Sequence, residues 1–199
     1  MARRDIVATT LFLAGLLLIA TGLALWLVFP QADLRLLDAA RLTSGGRVIA
    51  FTRLGGFWIL APFGLAMSCL LLIRGRAMAA IWYFTTVASG RLAVEIIKLF
   101  CLRDRPPVRG QLDLVTSWSF PSAHAANTTL TLLALALLLP RRRLALPLAI
   151  LIAVAMAWSR IALGVHWPGD VMAGLGFGML WIGIAAQWLP EERQHASSP

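Results

Sequence analysis

The chain has 199 residues, of which 59% are hydrophobic and 14% charged, with a mean hydropathy of +0.79. Soluble globular domains carry about 25% charged residues, so this composition excludes an ordinary soluble enzyme. The formal net charge of +9 lies in short segments between apolar runs. That distribution excludes a separate basic domain for nucleic acid and favours anionic lipid head groups or phosphate as partners.

Six apolar runs follow one another along the chain, at residues 6–29, 57–73, 77–97, 123–139, 144–163 and 171–189. Each run is close to the length of about 20 residues that crosses a bilayer core, and backbone in lipid must satisfy its own hydrogen bonds, which favours helices. The first run is too long for the apolar part of a signal peptide, so we expect it to be retained as a span. The sequence therefore predicts an all-α integral membrane protein, a six-helix bundle that forms one membrane-embedded domain over residues 1–199.

The segments between the runs predict the orientation of the chain. Tight turns at 74–76 and 140–143 carry two and three arginines, and the positive-inside rule places such turns in the cytoplasm. Both termini then lie in the cytoplasm, whereas segments 30–56, 98–121 and 164–170 lie outside. Segment 30–56 carries four arginines, which counts against this orientation. Its leucines predict an amphipathic stretch at the membrane interface.

Ionisable side chains gather at the predicted outer ends of spans three to six. They are Lys98, Arg105, His124, Arg160, His166 and Asp170. Ionisable residues at a membrane edge are costly and usually face a bundle interior or a water-filled cavity. Three cationic side chains among them suit an anion with several oxygens, such as phosphate.

The fourth span begins with Pro121, Ser122, Ala123 and His124. Ser122 is a plausible N-cap, which leaves backbone N–H groups free to bind an anion at a helix end of favourable dipole. His124 falls in the first turn, where it can donate a proton to a leaving oxygen.

Another group of polar residues runs from Ser159 to Asp170 and includes Arg160 and His166. A carboxylate bonded to one ring nitrogen of a histidine fixes the tautomer and leaves the other nitrogen free to attack. This is the logic of a nucleophile oriented by a third group. Attack of His166 on phosphorus gives a phosphohistidine, which water then hydrolyses.

These motifs resemble those of the type 2 phosphatidic acid phosphatase family, the lipid phosphate phosphatases related to vanadium haloperoxidases. The family pattern is Lys-x6-Arg-Pro, then Pro-Ser-Gly-His, then Ser-Arg-x5-His-x3-Asp, and the chain matches it at 98–106, 121–124 and 159–170. Ala123 stands where the family has glycine. Alanine keeps the backbone N–H that the family uses at this position.

The resemblance implies that His166 is the nucleophile, Asp170 its partner and His124 the general acid. It also implies five positions that hold the phosphoryl oxygens, namely Lys98, Arg105, Ser122, Ala123 and Arg160. Family members generally need no metal, so we expect neither a metal nor a cofactor. Arg103 and Arg109 receive no role in the site, and we expect them to be anchors at the membrane interface. We expect Asp113 to be a solvated loop residue.

The expected substrate is a lipid phosphate in the bilayer of a bacterial inner (plasma) membrane. Undecaprenyl diphosphate, phosphatidylglycerophosphate, phosphatidic acid and a lipid A phosphate all fit, because the motifs describe the phosphoryl centre alone. One alternative is a lipid phosphotransferase. Another is a non-catalytic carrier of lipid or anions, against which the intact His124, His166 and Asp170 count. The sequence leaves the oligomeric state open.

Overall fold

The chain is all-helical in a computed structural model, which describes residues 2–107, 111–113 and 115–190, with side chains from residue 5 onward. Eight α-helices occupy these described residues. They are α1 Ala2–Leu27, α2 Pro30–Ala40, α3 Gly46–Arg53, α4 Phe57–Ile73, α5 Ala77–Cys101, α6 Ala123–Leu138, α7 Arg142–Ala162 and α8 Pro168–Ala185. A short 3₁₀ turn, Ala186–Trp188, follows α8. The tail from residue 191 and Arg109 lie outside the described residues.

Each of the six predicted runs is a helix, and the ends that differ have local causes. The helix of the third run, α5, continues to Cys101 and ends because Leu102 adopts the left-handed conformation with φ 47°. The last helix begins at Pro168, because proline already has the backbone angle of a first helical turn. The segment predicted to be amphipathic folds into two short helices, α2 and α3.

Several helices are apolar enough to lie in a bilayer. Among the described residues, four stretches are long and apolar enough to cross a membrane: Asp5–Leu27, Gly46–Ile73, Arg142–Ala162 and Pro168–Trp188. The helix Ala123–Leu138 is apolar but 16 residues long, and α5 carries charged residues near its end. The multi-pass prediction is thereby supported, whereas the count of six spans stays a prediction.

The last helix, α8, lies in the middle of the bundle and packs on α1, α6 and α7. Its contact with α1 depends on residues without side chains. A Cβ added to Gly176 would lie 2.7 Å from the carbonyl oxygen of Gly15, and one added to Gly15 would lie 2.5 Å from the backbone nitrogen of Leu180. Small residues let two backbones approach closely in a membrane.

The ends of four helices meet at one end of this bundle. The last turns of α5 and α7 lie beside the first turns of α6 and α8, because consecutive helices run in opposite directions. The backbone N–H of Ser122 donates to the carbonyl of Asp170 at 2.9 Å and joins the two first turns. The two short helices pack onto the same end, since α2 contacts α7 and α8 and α3 contacts α7.

Candidate active site

His166 lies in the loop between α7 and α8 and is 2% exposed. Its Nδ1 is 3.3 Å from Oδ2 of Asp170, and its Nε2 is 3.0 Å from the NH1 of Arg105. A guanidinium only donates, so Nε2 accepts from Arg105 and the ring proton sits on Nδ1, facing the carboxylate. The predicted pairing of His166 with Asp170 is therefore present, and the lone pair of Nε2 is directed at the guanidinium of Arg105.

The imidazole of His166 is neutral at pH 7. Burial lowers its pKa well below the usual 6.5, and the positive charges of Arg105, Arg160 and Lys98 lower it further. Both causes disfavour the charged form of a base. A neutral ring is the form that attacks phosphorus.

Arg105 follows the end of α5 and reaches His166 from the loop. Its guanidinium donates to the carbonyl oxygens of Ser117 and Val165, both at 2.6 Å. Burial lowers its pKa to about 10, with a smaller contribution from the charge of Arg160. Arg105 thus stays positive at pH 7 and points a charged donor at Nε2 of His166.

Lys98 and Arg160 occupy the last turns of α5 and α7 and are 2% and 1% exposed. The Nζ of Lys98 donates to the carbonyl of Trp118 at 2.6 Å, and NH1 of Arg160 donates to Oγ1 of Thr52 at 2.9 Å. The Nε and NH2 of Arg160 are buried and lack a hydrogen-bond partner within the described part of the chain. Unpaired buried donors are costly, and two on one guanidinium match an anion that binds through two oxygens.

The first turn of α6 offers further donors. Ser122 is the residue that caps α6, but its side chain makes no capping hydrogen bond, and its buried Oγ has no partner among the residues described. The hydroxyl and the first backbone N–H groups, including that of Ala123, are therefore available to an anion. His124 lies near the start of α4, since a Cβ on Gly56 would be 3.8 Å from its Nε2. It is within electrostatic range of Arg160, Arg105 and Lys98.

Three residues whose contacts with Asp170 were not recognised from the sequence hold its carboxylate. Oδ1 of Asp170 accepts from NH1 of Arg103 at 2.6 Å, and Oδ2 accepts from the hydroxyl of Ser119 and from the backbone N–H of Trp167 at 2.9 Å. The hydroxyl oxygen of Ser119 also lies 3.4 Å from Nδ1 of His166. Every oxygen of the carboxylate that orients His166 is therefore held.

Arg103 is a buried bridge and not the interfacial anchor that the sequence suggested. Its NH2 donates to Oδ2 of Asp33 on α2 at 2.6 Å, and its guanidinium carbon lies 5.1 Å and 5.3 Å from the ring centres of Trp26 and Trp167. The partners lie far apart in the chain, so no local spacing reveals them. One signal was present: Asp33 sits on the same face of α2 as the buried Leu37, four residues later, where an unpaired acid is unexpected.

Asp113 was expected to be a solvated loop residue, and the structure shows it paired. Its Oδ2 lies 3.3 Å from NH1 of Arg160, and its side chain is 36% exposed. The carboxylate occupies the same guanidinium nitrogen that bonds Thr52. The other two guanidinium nitrogens of Arg160 have no hydrogen-bond partner among the described residues.

A family model described as the PAP2 superfamily matches residues 79–194. The matched region contains all eight site residues predicted from the sequence, whereas Asp33 lies before it. The resemblance drawn from the motifs is confirmed.

Two curated relatives and one solved structure are similar to the chain. It is 44% identical over 75 residues to the decaprenylphosphoryl-5-phosphoribose phosphatase of Mycobacterium tuberculosis, in strains CDC 1551 / Oshkosh and ATCC 25618 / H37Rv. These alignments cover 38% of this chain and 40% of each relative, so the chain spans about two fifths of the length of the curated relatives it matches. The solved structure is a transmembrane PAP2 type phosphatidylglycerolphosphate phosphatase from Bacillus subtilis. It is 26% identical, with a TM-score of 0.76 over 89% of this chain and 93% of that one.

Proposed function

Because this chain belongs to the PAP2 superfamily, we propose that it is a membrane lipid phosphatase that works through a phosphohistidine intermediate. The observation that carries the proposal is the setting of His166, with a carboxylate on Nδ1 and a charged guanidinium on Nε2. A neutral, oriented histidine beside unpaired anion donors has the parts that phosphoryl transfer requires.

In the first step Nε2 of His166 attacks phosphorus, and the bond from phosphorus to the leaving oxygen breaks. His124 gives a proton to that oxygen, while Asp170 stabilises the charge that develops on the imidazole. In the second step water attacks the phosphohistidine, His124 takes a proton from the water, and the nitrogen–phosphorus bond breaks. Inorganic phosphate leaves, and His166 returns to its neutral form.

The positive groups supply the electrostatic stabilisation. Lys98, Arg105 and Arg160 surround the phosphoryl oxygens, and the first turn of α6 adds Ser122 and the Ala123 N–H. Arg105 exchanges its bond to Nε2 for a phosphate oxygen when substrate binds. The negative charge of the phosphate offsets the three cations, so a proton on His124 is compatible with the loaded site.

A lipid substrate is supported by a cavity of about 120 Å³ between α4, α5 and α6. The cavity is lined mostly by apolar residues. Asn127 in the lining lies one helical turn from His124, and Leu65 and Phe84 in the lining are also exposed on the outer surface of the bundle. A Cβ on Gly64 in this lining would meet nothing within 4 Å. An apolar chain in the cavity leaves the phosphate head at the charged end of the bundle.

The placement in the cell that fits this function is the bacterial inner membrane, with six spans and both termini in the cytoplasm. The site then faces the periplasm or the outside. Support comes from the exposed arginines of the 140–143 turn, which lie at the opposite end of the bundle from His166, as the positive-inside rule requires.

Phosphate release from purified protein tests the proposal. In detergent with EDTA, we expect release from at least one of phosphatidic acid, phosphatidylglycerophosphate, undecaprenyl diphosphate, a lipid A phosphate and a polyprenylphosphoryl sugar phosphate. His166→Ala is expected to lose about 10³-fold or more of kcat, as removal of a nucleophile does. His195→Ala removes the histidine that lies outside the three motifs and serves as the matched control.

The alternatives predict other outcomes in the same assay. Phosphate that appears on an added alcohol acceptor and not in solution identifies a phosphotransferase. Lipid binding without any release, in a protein shown to be folded, identifies a carrier and contradicts the phosphatase. Labelled phosphate bound to wild type and absent from His166→Ala identifies the intermediate.

A further inference from the structure

A chain of buried ion pairs connects α2 to the carboxylate that orients the nucleophile. Asp33 bonds Arg103 at 2.6 Å, Arg103 bonds Asp170 at 2.6 Å, and Asp170 lies 3.3 Å from His166. Both carboxylates are 0% exposed, and Arg103 is 8% exposed. A bridging guanidinium with two carboxylates is an expensive arrangement to bury, so its place beside the nucleophile calls for a reason.

The bridge fixes the direction of Asp170. NH1 of Arg103 holds Oδ1, so that Oδ2 is left for Ser119, the Trp167 N–H and His166. The backbone of Arg103 adds a second connection, since its carbonyl accepts from the N–H of Ser119 at 2.8 Å. A guanidinium is planar and presents its N–H donors in a rigid fork, so one arginine side chain holds the two carboxylates at fixed relative positions.

Asp33 in turn fixes Arg103. Its Oδ2 accepts from NH2 of Arg103, and its Oδ1 accepts from the backbone N–H of Gly169 at 2.8 Å. Gly169 precedes Asp170, and a Cβ on it would lie 2.8 Å from the carbonyl oxygen of Gly22 and 3.3 Å from Arg103. Asp33 therefore locates both the arginine and the backbone that carries Asp170.

We propose that Asp33 and Arg103 are positioning residues, which hold Asp170 in the orientation that keeps the His166 proton on Nδ1. The inference rests on the proposed function, since positioning matters where Nε2 of His166 is the nucleophile. Loss of the bridge frees Asp170 to turn, so that the bond from Arg105 alone favours the Nδ1–H tautomer. The imidazole then populates both tautomers, and the fraction with an unprotonated Nε2 falls. A lower fraction of competent nucleophile reduces kcat and leaves the binding of substrate by Lys98 and Arg160 nearly unchanged.

A double-mutant cycle tests the chain of contacts. Asp33→Asn keeps the shape of the side chain and the acceptor for the Gly169 N–H but removes the negative charge. We expect kcat to fall about tenfold and KM to stay within about twofold of wild type, since loss of a partner that orients an active group typically lowers activity 10–100-fold. Arg103→Gln is expected to lose more. The double variant is expected to be no less active than Arg103→Gln alone, because Asp33 acts through Arg103. Asp38→Asn, an exposed acid on the same helix, is the control and is expected to match wild type.

A spectroscopic measurement separates positioning from a purely structural role. With His124→Gln and His195→Gln in the background, ¹⁵N-histidine NMR reports His166 alone. We expect the Nδ1–H tautomer when the bridge is intact and a mixture of tautomers in Asp33→Asn and in Arg103→Lys, which keeps the charge but cannot bridge two carboxylates. If Arg103→Gln does not fold, Asp33→Asn and Arg103→Lys are used instead, both in the kinetic measurement and in the NMR measurement.

Three outcomes overturn the inference: an unchanged tautomer in both variants, losses of kcat that multiply in the double variant, or a loss confined to KM. Failure of the proposed function is distinguishable, because it appears as wild type that releases no phosphate. The tautomer measurement needs no substrate and decides the positioning role in that case as well.

Discussion

The charge state of a single imidazole decides whether the proposed chemistry runs at neutral pH. His166 is surrounded by cations and buried, and both conditions lower its pKa. The folded ring therefore stays neutral as the pH falls through 6.5, while an unfolded histidine takes up a proton there. The contribution of His166 to stability is thus complete above about pH 6.5 and is lost as the pH falls toward the pKa of the folded state.

NMR of His166 as the remaining histidine measures this shift directly. In the His124→Gln and His195→Gln background, we expect the ring signal of folded protein to stay constant between about pH 7.5 and pH 5.5. A titration midpoint near the usual 6.5 contradicts the buried setting seen in the structure. The unfolded chain in denaturant serves as the control and is expected to titrate normally.

The residues that lie in local motifs were predictable, and those that act across the fold were not. Lys98, His124 and His166 were identified because their spacing to neighbouring residues is fixed. Arg103 was missed because its two partners are 70 and 67 residues away. The sequence indicates a buried ion pair of this kind only where an acidic residue stands among apolar neighbours, as Asp33 does.

At the scale of helices, the close contact between α1 and α8 sets the frame for the site. Asp170 occupies the first turn of α8, so any displacement of this helix moves the carboxylate that orients His166. The contact depends on Gly15 and Gly176, where an added Cβ would meet backbone atoms at 2.5 Å and 2.7 Å.

Two glycine-to-alanine substitutions are expected to have opposite effects. Gly176→Ala forces α1 and α8 apart, and overpacking of this kind typically costs about 1–3 kcal/mol. Gly64→Ala meets nothing within 4 Å, so the better helix propensity of alanine is expected to stabilise the protein by up to about 1 kcal/mol. Thermal unfolding in one detergent measures both. Equal stability of Gly176→Ala and wild type contradicts the close contact.

The helix ends show what hydropathy patterns do not resolve. The six longest helices among the described residues coincide with the six apolar runs of the sequence, and a run of about 20 apolar residues is typical of a membrane span. The runs stopped short of Cys101 and of Pro168, because both helices continue into a polar site where hydropathy falls while backbone hydrogen bonding persists. Lys98 and Asp170 thereby lie inside helices, and their side chains have fixed directions.

For the whole molecule, the sequence predicted an all-helical, multi-pass protein, and the structure is all-helical in its described residues with several apolar helices. The packing order of these helices could not be predicted, because apolar faces in lipid carry little information about which partner each one meets. Sidedness also depends on arginines whose number is similar at the two ends.

Cysteine labelling of intact cells tests the orientation. In a chain with Cys69 and Cys101 replaced by serine, Thr116→Cys places a thiol in the exposed loop beside the site and Arg141→Cys places one at the opposite end. We expect a membrane-impermeant maleimide to label the Thr116→Cys variant in intact cells and the Arg141→Cys variant only after permeabilisation. The reverse pattern contradicts an outward-facing site, and labelling of both after permeabilisation is the control.

The hydrogen bond from Arg105 to Nε2 of His166 has a consequence for selectivity. This bond occupies the lone pair of the proposed nucleophile until another acceptor draws the guanidinium away. Under the proposed function, an uncharged electrophile in the membrane offers no such acceptor and meets an occupied nitrogen. A phosphate brings oxygens that accept from Arg105 and free Nε2, so the proposed site discriminates between ligands by charge before it contacts the rest of the lipid.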